Sequence, residues 1–351
     1  MKRKNRLICF VCLLLFVCTS CSVVKDETQV KITDQKKEFN IGFSIDSLLI
    51  ERWQRDRDVF TSAAQNLGAK VNVQNANGDI EMQIAQIKYF IAKQMDVIVI
   101  IAGDCKALEE VVQQAKNAGI PVISYDRLIE NANTDLYISF QNEAVGELMA
   151  KQLISDMKGK GEIFMLQGPE SDTNVKLVRD SFEEAKKDSN LQIVYEMNCE
   201  DWLPENLVEP LKEALENYPN VKGIMCGNDE LAGKTFQILA EKQLAGKIYM
   251  VGQDCDLSAC QRIVEGSQRM TAFKDIDKLA ETAAKWAVEL AKDPNVNKKL
   301  EQLSTKNDGS YDVPCIEIPV IAVTKENIDD VIIKGGFHLK EDIYLNVKKS
   351  K

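Results

Sequence analysis

The sequence predicts an α/β protein of two similar lobes, each a parallel sheet covered by helices on both faces. Two observations carry this. From residue 38 short β-type runs alternate with amphipathic segments of helical length, the βαβ repetition of a parallel sheet. The rhythm then restarts after residue 141 without any visible sequence repeat. A third feature says where such a protein would hold a ligand: six of the runs end in polar side chains.

The chain opens with MKRKNR, LICFVCLLLFVC and TSC, which is a basic segment, an apolar stretch of 12 residues and a small-residue site. Twelve is short of the ~20 apolar residues of a spanning helix, so residues 1–20 read as a secretory signal. Cys18-Thr19-Ser20-Cys21 resembles a bacterial lipobox, with Cys18 where that pattern more often has Leu; Cys21 is the predicted lipid anchor. Di- and N-acylation would supply the two or more chains stable anchoring needs. Residues 21–37 are polar and lack an apolar period, a tether that could reach about 50–60 Å when extended. An extracytoplasmic, membrane-anchored location is expected.

In the first lobe the strands are NIGFSI, KVNVQ, DVIVII, PVISY and LYISF, with helices around 51–67, 80–94 and 106–118 between them. In the second, a helix over about 142–157 precedes the strands EIFMLQ, LQIVYEM, VKGIMC, IYMVGQ and RMTAF. The polar strand ends are Asp46, Asp104, Asp126 with Arg127, Asp172 with Asn174, Asn228 with Asp229, and Asp254. Open α/β sheets bind ligands outside the carboxyl ends of their strands. Asp and Asn are also favoured helix N-caps, so a single such residue is explained by capping alone. Their recurrence in both lobes, with an Arg among them, points to a cleft.

Composition narrows the ligand. There are 44 Lys and Arg against 54 Asp and Glu; residues 1–20 hold four of the bases and no acid, leaving −14 on the remainder. That argues against nucleic acid or an anionic surface as partner. Cys105, Cys199, Cys226, Cys255, Cys260 and Cys315 are spread without CxxC and without a nearby His, so buried free thiols are expected, not zinc ligands or a disulfide framework. GNDELAGKT imitates a phosphate loop, but five residues separate Gly227 from Gly233 where that loop has four.

Several stretches carry a family resemblance: DSLLIERWQRDRD, NANGD, YDRLIENANTDLYISFQNEAVGELMAK, DWLPEN, GNDELAG and VGQDCDLSACQRIVEGSQRMTAFK. In order, from about residue 40 to 338, they resemble the bacterial D-xylose-binding proteins of sugar ABC transporters. The resemblance implies a type I periplasmic-binding-protein fold, two Rossmann-like lobes joined by three crossing segments near 139–141, 273–275 and 315–320. Residues 38–140 plus 275–315 would form the N-terminal lobe and 141–274 plus 316–340 the C-terminal lobe. It also implies a monomer that binds one monosaccharide, xylose or a related pentose or hexose, and docks on an ABC transporter permease, without metal or other cofactor.

Matched motif by motif, the sugar-facing positions would be Arg52 and Trp53 of ERW, the acid-base pair Asp126 and Arg127 of YDRL, Asp172 and Asn174 of SDTN, Trp202 of DWLPE, Asn228 of GND, Asp254 of GQD and Lys274 of AFK. The residue types suit a polyol on their own terms. Asp accepts from hydroxyls, Arg and Lys donate, Asn does both, and an aromatic face covers the C–H side of a ring. Trp286, inside AAKWAVEL, reads as helix core. Thr173, Gln141 and the AGDC segment depart from the family's usual residues and bear on which sugar is bound.

Catalysis has a weak case. The lone His338 lies near the C-terminus, which disfavours Ser-His-Asp or Cys-His chemistry, and Asp126 beside a guanidinium should stay ionised instead of acting as a general acid. A lipid-anchored glycosidase is therefore the minor alternative. A sugar sensor presenting its closed form to a membrane kinase or chemoreceptor is the stronger rival to transport.

Overall fold

A computed structural model describes residues 38–293 and 295–347. The signal, the tether and Cys21 lie outside the described residues.

The first lobe begins β1 (Phe39–Ile45), α1 (Glu51–Asn66), β2 (Ala69–Asn75), α2 (Ile80–Ala92), β3 (Val97–Ile101), α3 (Glu109–Asn117), β4 (Val122–Tyr125) and β5 (Leu136–Phe140). All five residues of β3 are buried, as a central parallel strand with helices on both faces requires. On one face lie α2 and α3 with Ile87, Phe90 and Val112. On the other, Phe43, Phe60 and Tyr125 pack as an aromatic cluster, with Phe43 and Phe60 centroids 4.6 Å apart.

The second lobe follows with α4 (Asn142–Asp156), β6 (Lys160–Gln167), α5 (Thr173–Lys186), β7 (Asn190–Asn198), α6 (Val208–Asn217), β8 (Val221–Cys226), α7 (Asp229–Glu241), β9 (Tyr249–Gln253), α8 (Leu257–Glu265) and β10 (Met270–Phe273). Then α9 (Ile276–Lys292) crosses back to pack against α1, with Ala280, Ala283, Ala284 and Ala287 buried along one face. Small residues at that spacing let two helices approach closely. Trp286, on the same helix, is half-buried against the first lobe's core.

A short helix α10 (Val296–Leu300) leads to three strands that the alternation did not announce: β11 (Ser304–Asn307), β12 (Asp312–Ile318) and β13 (Ile321–Val323). The finished sheets run β11-β12-β5-β4-β3-β1-β2 and β13-β10-β9-β8-β6-β7. Only the β11–β12 and β10–β13 pairs are antiparallel. Among the described residues the chain passes between the sheets three times: after β5, after β10 and after β12. Ile316, Glu317 and Ile318 pair with Ile138, Ser139 and Phe140, so the third change of sheet comes after Ile318.

The six body cysteines are buried and free. No helix among the described residues is long and apolar enough to cross a membrane.

Candidate functional site

The carboxyl ends of the two sheets face one another across a cavity of about 40 Å³. All ten sequence-predicted residues line it: Arg52, Trp53, Asp126, Arg127, Asp172, Asn174, Trp202, Asn228, Asp254 and Lys274. Gln167 and Gln253, the last residues of β6 and β9, line it too and were not singled out from sequence. Their signal was present, since each is a polar residue closing an apolar run.

Not every polar strand end reaches the cavity. Asp104 turns back to accept from the backbone N–H groups of Lys106 and Ala107. Asp229 is buried inside the second lobe, accepting from Thr271 Oγ1 (2.6 Å) and Gln268 Nε2 (2.8 Å), and burial pushes its carboxyl up to about 7. Asp46 supports the site from behind through Arg127. Capping and cleft roles coincide elsewhere. Asp172 caps α5 with Oδ1, accepting from Asn174 N–H, while Oδ2 meets Arg127 (2.8 Å) and Trp202 Nε1 (3.3 Å). Asn228 caps α7 through Leu231 N–H.

The YDRL pair is not an ion pair with itself. Adjacent residues point different ways, because Asp126 has left-handed backbone (φ 64°). Asp126 instead accepts from Arg52 Nη2 and from Asn174 Nδ2, each at 2.9 Å. Arg127 is held by Asp46 (2.9 Å), Asp172 (2.8 Å) and the carbonyl of Ala102 (2.7 Å). Losing Asp126 would therefore leave Arg127 with its own partners. Two of these contacts join lobe to lobe: Asp126 to Asn174, and Arg127 to Asp172.

Arg52 organises the first lobe's side of the cavity. It meets Asp56 (3.2 Å), Asp126 (2.9 Å) and, across the cleft, Asp254 (3.6 Å), and its guanidinium lies 4.3 Å from the Trp53 ring centre. Burial alone would raise the Asp126 carboxyl, but Arg52, with Lys274 and Arg127, outweighs it and holds the group below the usual carboxylate range. Asp56, deeper and bonded to the Tyr125 hydroxyl, is pushed by burial up to about 6 despite Arg52. Lys274 is buried and lowered by desolvation, against the pull of Asp254 and Asp126.

Backbone strain gathers here as well: Asp126, Trp202 and Asp254 all have φ between 56° and 100°. Left-handed backbone in non-glycine residues costs of order 1–3 kcal/mol each and persists where surrounding structure enforces it. The Trp202 indole lies flat on Gly168, where an added Cβ would sit 2.2 Å from Cζ2. Only glycine admits the ring.

Three cations, Arg52, Arg127 and Lys274, and three anions, Asp126, Asp172 and Asp254, line the cavity, so its formal charge sums to zero. Several of its buried polar atoms have no hydrogen-bond partner: Trp53 Nε1, Gln167 Oε1, Gln253 Oε1 and Asp254 Oδ1. One unpaired donor and three unpaired acceptors in a desolvated space suit a neutral ligand whose groups both donate and accept, which is the chemistry of hydroxyls. No group of His, Cys, Asp or Glu among the described residues could hold a metal ion.

Residues 41–295 match the family model described as a periplasmic binding protein domain. The chain is 44% identical over 313 residues to a D-xylose-binding periplasmic protein of Haemophilus influenzae, covering 88% of this chain and 93% of that one. It is 40% identical over 350 residues to a D-xylose-binding periplasmic protein of Escherichia coli K12, covering 98% and 100%. Among solved structures, a carbohydrate transporter solute-binding protein from Chloroflexus aurantiacus in complex with D-glucose superposes with a TM-score of 0.78 at 26% identity, covering 87% of this chain and 98% of that one.

Proposed function

Because this chain belongs to the periplasmic binding protein domain family, we propose that the sugar it captures between its lobes is D-xylose, for delivery to an ABC transporter. It is an extracytoplasmic sugar-binding protein and not an enzyme. The observation that carries the ligand class is the charge-balanced cavity with an unpaired donor on the first lobe and unpaired acceptors on the second. The choice of xylose is supported by relatives named for that sugar over nearly the whole chain. The cavity is complete within one chain, which favours a monomer.

Calorimetric titration with xylose, ribose and glucose tests the choice. Xylose is expected to bind tightest and to raise the melting temperature, since a ligand taken only by the folded state stabilises it by mass action. Ribose or glucose binding far more tightly than xylose removes xylose as the cognate ligand. Product released from an aryl glycoside above the buffer rate would revive the glycosidase alternative.

The anchor is part of the same proposal. A palmitate analogue fed to expressing cells should label the wild type and leave Cys21→Ala unlabelled. Labelling that survives the substitution places any lipid elsewhere.

A further inference from the structure

Two helix N-termini meet at the cleft, α1 from the first lobe and α7 from the second. α1 starts poorly capped, because Ile50 at its N-cap position has no side chain able to accept a hydrogen bond. The backbone N–H of Glu51, the first residue of α1, donates instead to Oε1 of Glu230 at 2.8 Å. Glu230 is the second residue of α7. Its carboxylate therefore sits in the first turn of its own helix and at the start of the other, where it offsets two positive dipole ends that would otherwise face each other. Glu230 does not line the cavity, and it has no ion-pair partner among the described residues. Lys234, one turn along α7, is engaged by Glu205 at 3.1 Å.

We propose that Glu230 is a closure residue: it caps α1 only while the lobes are together, and so tunes sugar affinity without touching the sugar. This rests on the reading of the chain as a sugar-binding protein that closes on its ligand. A contact made only in the closed form supplies the differential free energy a population shift requires. When the lobes part, the Glu51 N–H and the Glu230 carboxylate both return to water. Burial, with Asp254, Glu51 and Glu205 nearby, pushes the Glu230 carboxyl up to about 7. The accepting oxygen matters more than the charge. Gln at this position keeps that oxygen, and Ala does not.

The test is xylose binding and dissociation kinetics for the wild type, Glu230→Ala and Glu230→Gln. Loss of an N-cap acceptor corresponds to about a 3- to 30-fold change in an equilibrium. Glu230→Ala is expected to weaken binding by that factor, chiefly through faster dissociation, while the sugar-free melting temperature stays at the wild-type value. Glu230→Gln should restore affinity to within about threefold. Wild-type affinity and dissociation rate in Glu230→Ala overturn the closure role, as does a Gln variant as weak as the Ala variant. A lowered sugar-free melting temperature in Glu230→Ala with unchanged dissociation makes the contact merely structural. A wild type that binds xylose, ribose and glucose no better than buffer removes the sugar-binding reading itself, and the proposal with it.

Discussion

Asp126→Asn is expected to bind sugar about 10- to 150-fold more weakly than the wild type, corresponding to about 1.5–3 kcal/mol for hydrogen bonds to a charged group. The substitution keeps the shape and suits the left-handed backbone at this position, which Asn tolerates and Ala does not. What it removes is the charge and one of two acceptor oxygens, since Oδ2 accepts from Arg52 Nη2 and Oδ1 from Asn174 Nδ2. In its place an amide adds two donors to a neighbourhood already rich in them. The cross-cleft bond to Asn174 weakens as well, so the variant loses both a hydroxyl acceptor and part of what favours closure. The fold should survive, because the Asp126 carbonyl keeps its bonds from Ser139 Oγ (2.6 Å) and Tyr137 Oη (3.2 Å). Calorimetry gives the affinity and small-angle scattering the closure. Wild-type affinity in Asp126→Asn would reduce this carboxylate to a support for Arg52.

Arg52→Ala should instead damage the fold. Arg52 is the buried partner of Asp56 and Asp126 and approaches Asp254, so its removal leaves three carboxylates short of a cation. Breaking a buried ion pair from one side costs about 3–5 kcal/mol. For a body of this size that is a fall of about 5–8 °C in the melting temperature. The deficit has a predictable pH dependence. Asp56 already sits at about 6 with Arg52 present, and without it the carboxyl rises further. A folded-state value above the unfolded one means the folded variant binds more protons, so its stability relative to the wild type improves as pH falls from 8 towards 5. A melting-temperature gap that widens on acidification, or no gap at pH 8, contradicts this account. Arg52→Lys should rescue only in part, since an ammonium cannot span Asp56 and Asp126 in a fork.

Asp126, Arg127, Asp172, Asn174, Asn228 and Asp254 were legible because each lies at or just past the end of an apolar run, and the parallel α/β pattern sends every such end to the same side of its sheet. Arg52, Trp53, Trp202 and Lys274 were indicated only by the resemblance of their motifs. The alternation located ten strands, and each is present. It did not reveal β11 to β13, whose residues alternate weakly; β12 pairs with the edge of β5, β13 with that of β10, and β11 with β12. Gln167 and Gln253 were passed over because glutamine at a strand end is an ordinary surface choice until a second lobe covers it.

By itself, then, the sequence determined the local periods, the two-lobed α/β class and the polar rim at the strand ends, all of which are written within windows of a few residues. Partnership was decided only in three dimensions. Asp126 and Arg127 are neighbours in the chain yet bond to Arg52 and Asp172, 74 and 45 positions away, because a left-handed residue turns their side chains apart. Asp104 and Asp229 follow the same sequence rule as Asp254 but are taken up by a turn and by a buried network within the second lobe. The bond from Glu51 to Glu230 spans 179 positions and exists because two helix starts face each other across the cleft. Hydrogen-bond reach is about 3 Å in space and has no counterpart along the chain, so only the folded structure assigns each donor its acceptor.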